Sequence, residues 1–540
     1  LDSESRPFAL LVELYRRRGR IVPQRERLNV SGPVEALSRG MLDELARHKP
    51  ALASLLGTCA SAAGATDGVP LSRAQQEIWA VERASPCTTR FNLTSSVLLH
   101  GRFNAGAASD ALSALIERHT ALRTRFVEAP CSSPRQFVCA AVRVAPEIER
   151  GPGRLPNDHG ALLRRVAVEQ MRRPFDLAGD PLLDLHVLET GDGHALLTLR
   201  RHHIASDGVS FAVVVDEFCR LYRAFAGVAG MPEDDAPPGY PAFVAYETAT
   251  VERQGRDALR AWWRDELVRG AALAAAANRP SAAMLAGADA GAPTFSLRFV
   301  VDAPTVAGLR TLSRRCGESL YSTMFALFRL LLDANDAPGA ECVGVDASMR
   351  DAAEFERTVG LFVNRVPIVY AIDPDTTFES TVASLGGTIR AALAHKWLAH
   401  HEIASLANVG GGPLFGYLFG FHNNPHATFA LPGCRVVTDF AHREHEHDLP
   451  FVCYLTDVGA AIAVTVAYRA MPHAEALAAD FAASYLQLAR LAVVSPDARC
   501  STFVASVRAR RRGADAAHRR AFADLKRRRA LRRTVEADDA

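Results

Sequence analysis

The stretch His202-His203-Ile204-Ala205-Ser206-Asp207-Gly208-Val209-Ser210 holds two histidines, an acid four residues past the second, and a glycine. A neutral imidazole can take a proton from an attacking amine or hydroxyl, or hold that nucleophile in line. The apolar run Ala195 to Leu199 reads as a buried strand leading into this stretch. Beyond it, Phe211, Val214, Val215, Phe218, Leu221, Tyr222 and Phe225 form one helical stripe. Successive side chains of a strand face opposite ways, so only one histidine can project into a site while the other orients it or fills the core. Asp207 either fixes a histidine tautomer or locks the loop through an arginine. Gly208 lets a substrate approach without a Cβ in the way. A metal site competes with this reading, but it needs more ligands than His/His/Asp and an open coordination position. Two satisfied histidines and a turn acid are the structural alternative.

The rest of the chain must position this loop. Its 540 residues correspond to roughly three to four units of ordinary domain size. With 49% hydrophobic residues a large core can form, and a net charge of +2 weighs against a dedicated nucleic-acid binder. The ten cysteines are scattered without a Cys-x-x-Cys pair, which argues against a zinc ribbon and fits reduced thiols of the cytoplasm. No signal peptide is visible, although the first residue is Leu1 rather than Met. No apolar run approaches the ~20 residues of a membrane span, so no membrane partner is expected.

Residues 1–56 read as a small α/β module. A striped helix over Phe8 to Arg18 stops at Gly19, and a hairpin follows around Pro23 to Glu26. Two short helices split by Pro50 (Leu42 to His48 and Ala51 to Leu56) complete it. Arg16, Arg17, Arg18, Arg20, Arg25 and Arg27 surround the hairpin, with Glu26 the only acid among them. A basic, unpaired strand edge suits addition of an acidic peptide, though a solvated hairpin without a partner fits equally. Residues 57–68 look like a flexible linker. Strand-like and helix-like segments then alternate in two similar halves, 69–235 and 293–500. Between them, residues 236–292 read as a crossover with a mobile Ala/Gly-rich run from Ala271 to Ala292. Two α/β lobes with a groove between them are the expected architecture. The tail, 501–540, is basic: Arg508 to Arg533 holds twelve Lys/Arg against Asp515 and Asp524. Its arginines lie all round a helix, which fits a solvated or frayed segment.

His202 to Ser210 resembles the active-site motif of nonribosomal peptide synthetase condensation domains. Other blocks follow in that family's order: Leu71-Ser72-Arg73-Ala74-Gln75-Gln76-Glu77-Ile78-Trp79, Arg118 to Phe126, Pro174 to Leu177, Val359 to Asn364 and Pro496 to Arg499. The resemblance spans roughly residues 69–500 and implies two chloramphenicol-acetyltransferase-like lobes in a V-shaped pseudodimer. It implies that His203 is the catalytic histidine and His202 its support. Asp207 is then structural, with Arg350 as salt-bridge partner and Asn364 in a supporting C-lobe block. The implied reaction moves an acyl chain from a carrier-protein phosphopantetheine thioester, with no cofactor bound by the chain itself. Thr120, Arg365, Val369 and His401-Glu402-Ile403 depart from the family pattern, mostly on the acceptor side, as do Arg200 and Arg201 before the histidines.

Neither the paired aspartates of heterocyclisation domains nor the Asp-Phe-Gly-Trp-Gly block of plant-type acyltransferases occurs, and Phe362-Val363-Asn364 differs from epimerisation domains. Adenylation and carrier motifs are not found, Leu385-Gly386-Gly387-Thr388 being the nearest approach. The pattern therefore resembles free-standing chain-releasing enzymes such as those of enacyloxin-type hybrid synthases, which pass the chain to a small free acceptor. The new bond is an ester or an amide. A free-acid acceptor would pair with Arg365 or Arg201. Residues 5–56 resemble the β-hairpin docking domains known from tubulysin assembly. That likeness implies capture of an upstream acyl or peptidyl carrier protein through an acidic C-terminal motif, with Arg20, Arg25 and Arg27 as docking residues. An ordinary amide-forming domain of a larger synthetase and a catalytically silent scaffold are the rival readings. His442, Glu444, His445, Glu446 and His447 read as a polar loop rather than a zinc site.

Overall fold

Apolar strands flanked by striped helices build two sheet-centred halves, seen in a computed structural model. It describes residues 6–24, 27–33, 37–56, 68–86, 88–128, 133–139, 144–151, 153–154, 158–233, 236–277, 294–337, 340–407, 413–422, 429–440, 449–469 and 474–513. Arg25, the linker residues 57–67, the histidines between 441 and 448, and the tail beyond 513 lie outside them.

The chain opens with α1 (Arg6–Arg16), the antiparallel hairpin β1 (Arg20–Gln24) and β2 (Arg27–Ser31), then α2 (Arg39–Arg47) and α3 (Lys49–Leu56). Pro50 sits in the first turn of α3, where a missing N–H goes unnoticed. The first half follows: β3 (Val69–Pro70), α4 (Arg73–Ala84), β4 (Asn92–Gly101), α5 (Ala105–Arg118), β5 (Thr124–Val127), β6 (Arg135–Val138) and β7 (Glu147–Arg150). It ends with α6 (His159–Met171), β8 (Leu183–Glu189), β9 (His194–His202) and α7 (Gly208–Phe225). Two helices, α8 (Tyr240–Gln254) and α9 (Arg256–Ala277), lead to the second half. That half comprises β10 (Thr294–Val301), α10 (Ala303–Arg315), α11 (Leu320–Ala334), β11 (Cys342–Ser348), β12 (Val363–Val369), α12 (Phe378–Ala394) and α13 (His400–Leu406). It closes with β13 (Tyr417–His422), β14 (Cys434–Phe440), β15 (Phe451–Asp457), β16 (Ile462–Arg469) and α14 (Ala474–Val494).

The second half centres on a six-stranded sheet, β10-β16-β15-β13-β11-β12. The first half carries a five-stranded sheet of order β14-β4-β9-β8-β7 and a small one of order β3-β6-β5. Strand β14 comes from the second half yet pairs antiparallel with β4 of the first. Just before it, Phe429 and Leu431 are buried in the core of the first half with α5 and α7. The two halves are therefore interlocked rather than merely adjacent.

Two expectations need correction. The first 56 residues are not a separate module: Phe8, Leu11, Leu14 and Tyr15 of α1 share one buried core with Phe243, Val244 and Val251 of α8. The Arg253 guanidinium donates to the Tyr15 carbonyl at 2.7 Å, and Gly239 N to the Leu56 carbonyl at 3.1 Å. A two-stranded hairpin is too small to cover the apolar stripe of α1, so the stripe turns to α8 instead. The supposed crossover is also largely helix. Tyr240, Phe243 and Trp263 are fully buried, and α9 runs through the alanines to Ala277. Alanine loses no side-chain entropy on entering a helix, which extends α9 into that run. Residues 278–293 lie outside the described set.

Candidate active site

Strand β9 continues through Arg200 and Arg201 to His202, past the expected end at Leu199. Both arginines are buried because each finds partners there. Arg200 pairs with Asp184 on β8, donates to the Arg173 carbonyl at 2.6 Å and lies 4.0 Å over the Phe175 ring. Arg201, on the opposite face, donates to Ser95 at 3.2 Å and lies 3.9 Å over Phe211 of α7. Both are therefore held inside the protein.

The strand then breaks into one 3₁₀ turn, His203–Ala205, and the two histidines part ways. His202 is buried between Phe91 and Phe175, and its Nδ1 accepts from Ile204 N at 3.2 Å. Its Nε2 therefore carries the hydrogen and donates to Glu82 on α4, also at 3.2 Å. Burial lowers its pKa although Glu82 opposes the shift. His202 is thus a neutral post that holds the turn.

His203 is only half-buried. Its Nδ1 lies 2.9 Å from the Ser206 carbonyl, a pure acceptor, so Nδ1 must hold the hydrogen and Nε2 keeps a free lone pair. Burial lowers the pKa of His203, the Ser206 carbonyl and Asp207 oppose that shift, and the nearby Arg365 charge adds to it. A neutral imidazole with its tautomer fixed from behind is what a general base requires.

Asp207 makes no hydrogen bond to either histidine ring. It caps α7, its Oδ1 accepting from Ser210 N at 2.7 Å. The same carboxylate reaches the second half: Oδ1 lies 3.2 Å from Arg350 Nη2, and Oδ2 accepts from Phe362 N at 3.0 Å. Arg350 also donates to Ser210 Oγ at 2.8 Å and, through Nη1, to the carbonyls of Phe355 at 2.5 Å and Thr358 at 2.8 Å. Its guanidinium lies 3.8 Å over the Phe362 ring. Asp207 N donates to the Gly360 carbonyl at 3.1 Å, which Ser210 Oγ also engages at 2.7 Å. A Cβ at Gly360 would run into the Tyr240 ring, so only glycine lets this segment come so close. Gly208 is the first residue of α7 and is half-buried.

Asn364 lies away from the loop. Its Nδ2 donates to the carbonyls of Lys396 and Leu398 at 2.7 and 2.8 Å, tying β12 to the segment before α13. Thus Asp207 and Arg350 come together, with the histidine turn beside them, while Asn364 acts at a distance. Three contributors were missed. Gln75 donates to the Ile204 carbonyl at 3.2 Å, Tyr240 bridges Ser72 at 2.9 Å and the Leu361 carbonyl at 2.5 Å, and Ser210 sits inside the Arg350 network. The spacing Ser72-x-x-Gln75 carries a capping-box signal for α4 that leads to Gln75. Nothing local marks Tyr240. Among the described residues, no group of three or more His, Cys, Asp or Glu is placed to hold a metal ion. No described helix is long and apolar enough to cross a membrane.

At the hairpin, Arg20 and Arg27 are exposed, while Arg16 and Arg17 pair with Glu13 of α1. The basic surface is therefore narrower than the sequence alone implies.

A two-lobed α/β scaffold with a fixed histidine turn at the contact of its halves defines an acyltransferase-like architecture. Residues 65–510 match the family described as Condensation domain, and the chain belongs to that family, which works in nonribosomal peptide synthesis. It is 28% identical over 380 residues to a linear gramicidin synthase polypeptide of Brevibacillus parabrevis, covering 68% of this chain and 7% of that one. It is 30% identical over 362 residues to phosphinothricin tripeptide synthetase PhsC of Streptomyces viridochromogenes, covering 65% of this chain and 32% of the relative. The chain thus spans a small part of these curated relatives. Among solved structures, the condensation domain of the monacolin K polyketide synthase MokA superposes with a TM-score of 0.66 at 18% identity, over 81% of this chain and all of that one (100%). The X-domain from teicoplanin biosynthesis gives 0.66 at 21% identity, over 82% and 99% of the two chains. SgcC5 of Streptomyces globisporus gives 0.62 at 22% identity, over 80% and 100%. At these identities the structures establish the fold.

Proposed function

We propose that this chain transfers an acyl group from a carrier-protein phosphopantetheine thioester to a small free amine or alcohol, releasing the chain. The observation that carries this reading is His203, whose Nδ1–H is fixed on the Ser206 carbonyl so that Nε2 is free to act as base. The acceptor nitrogen or oxygen attacks the thioester carbonyl carbon while Nε2 takes its proton. The carbon–sulfur bond then breaks, and the proton returns to the departing thiolate. An alcohol is far less acidic than an ammonium, so an ester-forming reaction asks more of His203. In this reading His202 orients the turn, Asp207 and Arg350 hold it against the second half, and Gly208 leaves room for the thioester.

The exposed Arg20 and Arg27, with Arg25, form the docking surface for an acidic C-terminal segment of the carrier partner. Each strand of this two-stranded sheet has an outer edge for a third strand to join. Tethering of this kind raises the local carrier concentration and adds roughly 10²- to 10⁴-fold in avidity. The likeness to the tripeptide synthetase PhsC supports a second reading, amide formation on a carrier-bound aminoacyl acceptor.

The test loads a carrier protein with an acyl thioester and follows its loss by intact-protein mass spectrometry while amines, alcohols and an aminoacyl carrier are offered in parallel. Transfer to a free acceptor, lost in His203→Ala, is expected. Transfer only to the aminoacyl carrier would favour the second reading. Full turnover by His203→Ala would remove the proposed mechanism.

A further inference from the structure

Two side chains on one face of α4 grip the turn that carries His203. Gln75 and Glu82 stand seven positions apart on that helix, so they point the same way, about 10.5 Å from each other along its axis. Both act on Ile204, the residue directly after the histidine. Gln75 Nε2 donates to the Ile204 carbonyl at 3.2 Å. Glu82 reaches the Ile204 N–H through the His202 ring, which accepts that hydrogen at Nδ1 and donates its own from Nε2 to Glu82 Oε1, each at 3.2 Å. A neutral imidazole has one ring hydrogen, so the acceptor at Nε2 decides that Nδ1 keeps its lone pair. In the other tautomer His202 would set an N–H against the Ile204 N–H.

The grip is itself held. Gln75 Oε1 accepts from Ser72 N and from Gln136 Nε2, both at 3.0 Å, and this fixes which end of the amide meets the Ile204 carbonyl. Gln75 is 1% exposed and the Glu82 side chain 9%, so water competes little for either bond. His203 N donates to the Phe91 carbonyl at 2.8 Å, and the His203 carbonyl accepts from Ser206 N at 3.2 Å. Those two bonds secure the backbone of His203 itself. The two from α4 secure the peptide groups of Ile204, and with them the ψ angle of His203.

Resting on the acyl-transfer reading above, we infer that Gln75 and Glu82 are positioning residues for His203: by holding Ile204 at both of its polar groups, they set where Nε2 lies against the acceptor. They act through the backbone and through His202, not on the substrate. A proton passes to a base only near hydrogen-bond distance, so a turn that drifts by a fraction of an ångström slows the transfer step without loosening substrate binding.

The experiment turns on two exchanges of similar shape and opposite chemistry. Gln75→Glu removes the donor that Ile204 needs, whereas Glu82→Gln keeps the acceptor that His202 needs; Glu82→Leu removes that acceptor. Rates are measured in the carrier-loading assay with the full chain, at pH 8 and across a pH profile, per folded enzyme as judged by circular dichroism. Gln75→Glu and Glu82→Leu should lower kcat by roughly 10- to 30-fold, with KM within about twofold of wild type and the acid limb in place. Glu82→Gln should recover most of the loss seen in Glu82→Leu. A lower melting temperature with kcat unchanged, a loss confined to KM, or equal damage from Glu82→Gln and Glu82→Leu overturns the assignment of the residue concerned while leaving acyl transfer intact. No transfer by the wild type, or full turnover by His203→Ala, overturns the acyl-transfer reading and the assignment with it. If Gln75→Glu does not fold, the two Glu82 variants decide.

Discussion

Asp207 Oδ1 lies 3.2 Å from Arg350 Nη2, and that same nitrogen holds Ser210 Oγ at 2.8 Å. The two residues are 143 positions apart, both are buried, and together they fasten the start of α7 to the second half. Removing one member leaves the other charged and without its partner. Arg350→Ala should therefore destabilise the fold by about 3–5 kcal/mol. Arg350→Lys should recover little, because one ammonium cannot serve Asp207, Ser210 and the Phe355 and Thr358 carbonyls together. Denaturant midpoints measure this; a loss below about 1 kcal/mol would contradict the latch.

The histidines should separate activity from stability. His203→Ala is expected to cut transfer by roughly 10²- to 10⁴-fold with little change in melting temperature. His202→Ala should cost about 1–3 kcal/mol, because Ile204 N–H and Glu82 both lose their partner. The opposite ranking in paired melting and single-turnover measurements would reverse the two assignments.

The loop shows what the sequence could and could not disclose. A strand ending near two histidines and a helix beginning near Gly208 were readable because each element has its own apolar period. The strand's extension through Arg200 and Arg201 was not, because charged residues enter a buried strand only when Asp184, Ser95 and aromatic faces meet them. Arg350 was reachable through family motif order alone. Tyr240 and the seating of α1 on α8 depend on contacts between distant segments, which no local pattern carries.

Burial lowers the His203 pKa from the ordinary 6.5, so the ring stays deprotonated further into acid than a free imidazole. The acid limb of kcat/KM should fall below pH 6.5. The unfolded chain gains its proton on this residue at higher pH than the folded one, so the stability it contributes is lost as pH falls below 6.5. An acid limb above that value in a pH–rate profile would disagree with the half-buried, neutral imidazole.

Glu247 on α8 titrates the opposite way. Burial pushes its carboxyl from 4.5 up to about 7, Arg73 opposing and Glu402 reinforcing. The folded state then holds a proton that the unfolded state releases, and stability falls as pH rises from 4.5 toward about 7. Glu247→Gln keeps an acceptor for Arg73 N, which now donates to Glu247 Oε2 at 3.0 Å. The substitution should stabilise the protein at pH 8 by up to about 3 kcal/mol and bring no gain below the unfolded pKa. Denaturation curves at the two pH values would show the difference.

Because α1 is seated in the main core, deleting residues 1–56 should unfold or aggregate the chain instead of merely uncoupling a partner. Tyr15→Ala alone should cost about 3–5 kcal/mol through the cavity left against Tyr246 and Phe355. The docking proposal is better tested with Arg20→Glu and Arg27→Glu, whose side chains are exposed. These should weaken transfer at low carrier concentration with melting unchanged; a shared loss of melting temperature would point to a structural role.

Strand β14 has a consequence for how the molecule is made. Until residues 434–440 leave the ribosome, the nascent first half has β4 as a bare sheet border, although most of its residues are buried in the finished fold. The sheet that ends in the histidine turn thus waits, incomplete and prone to sticking, for more than two hundred further residues after His203. A split protein cut between α7 and α8 should therefore recover its histidine turn only when both pieces are synthesised together.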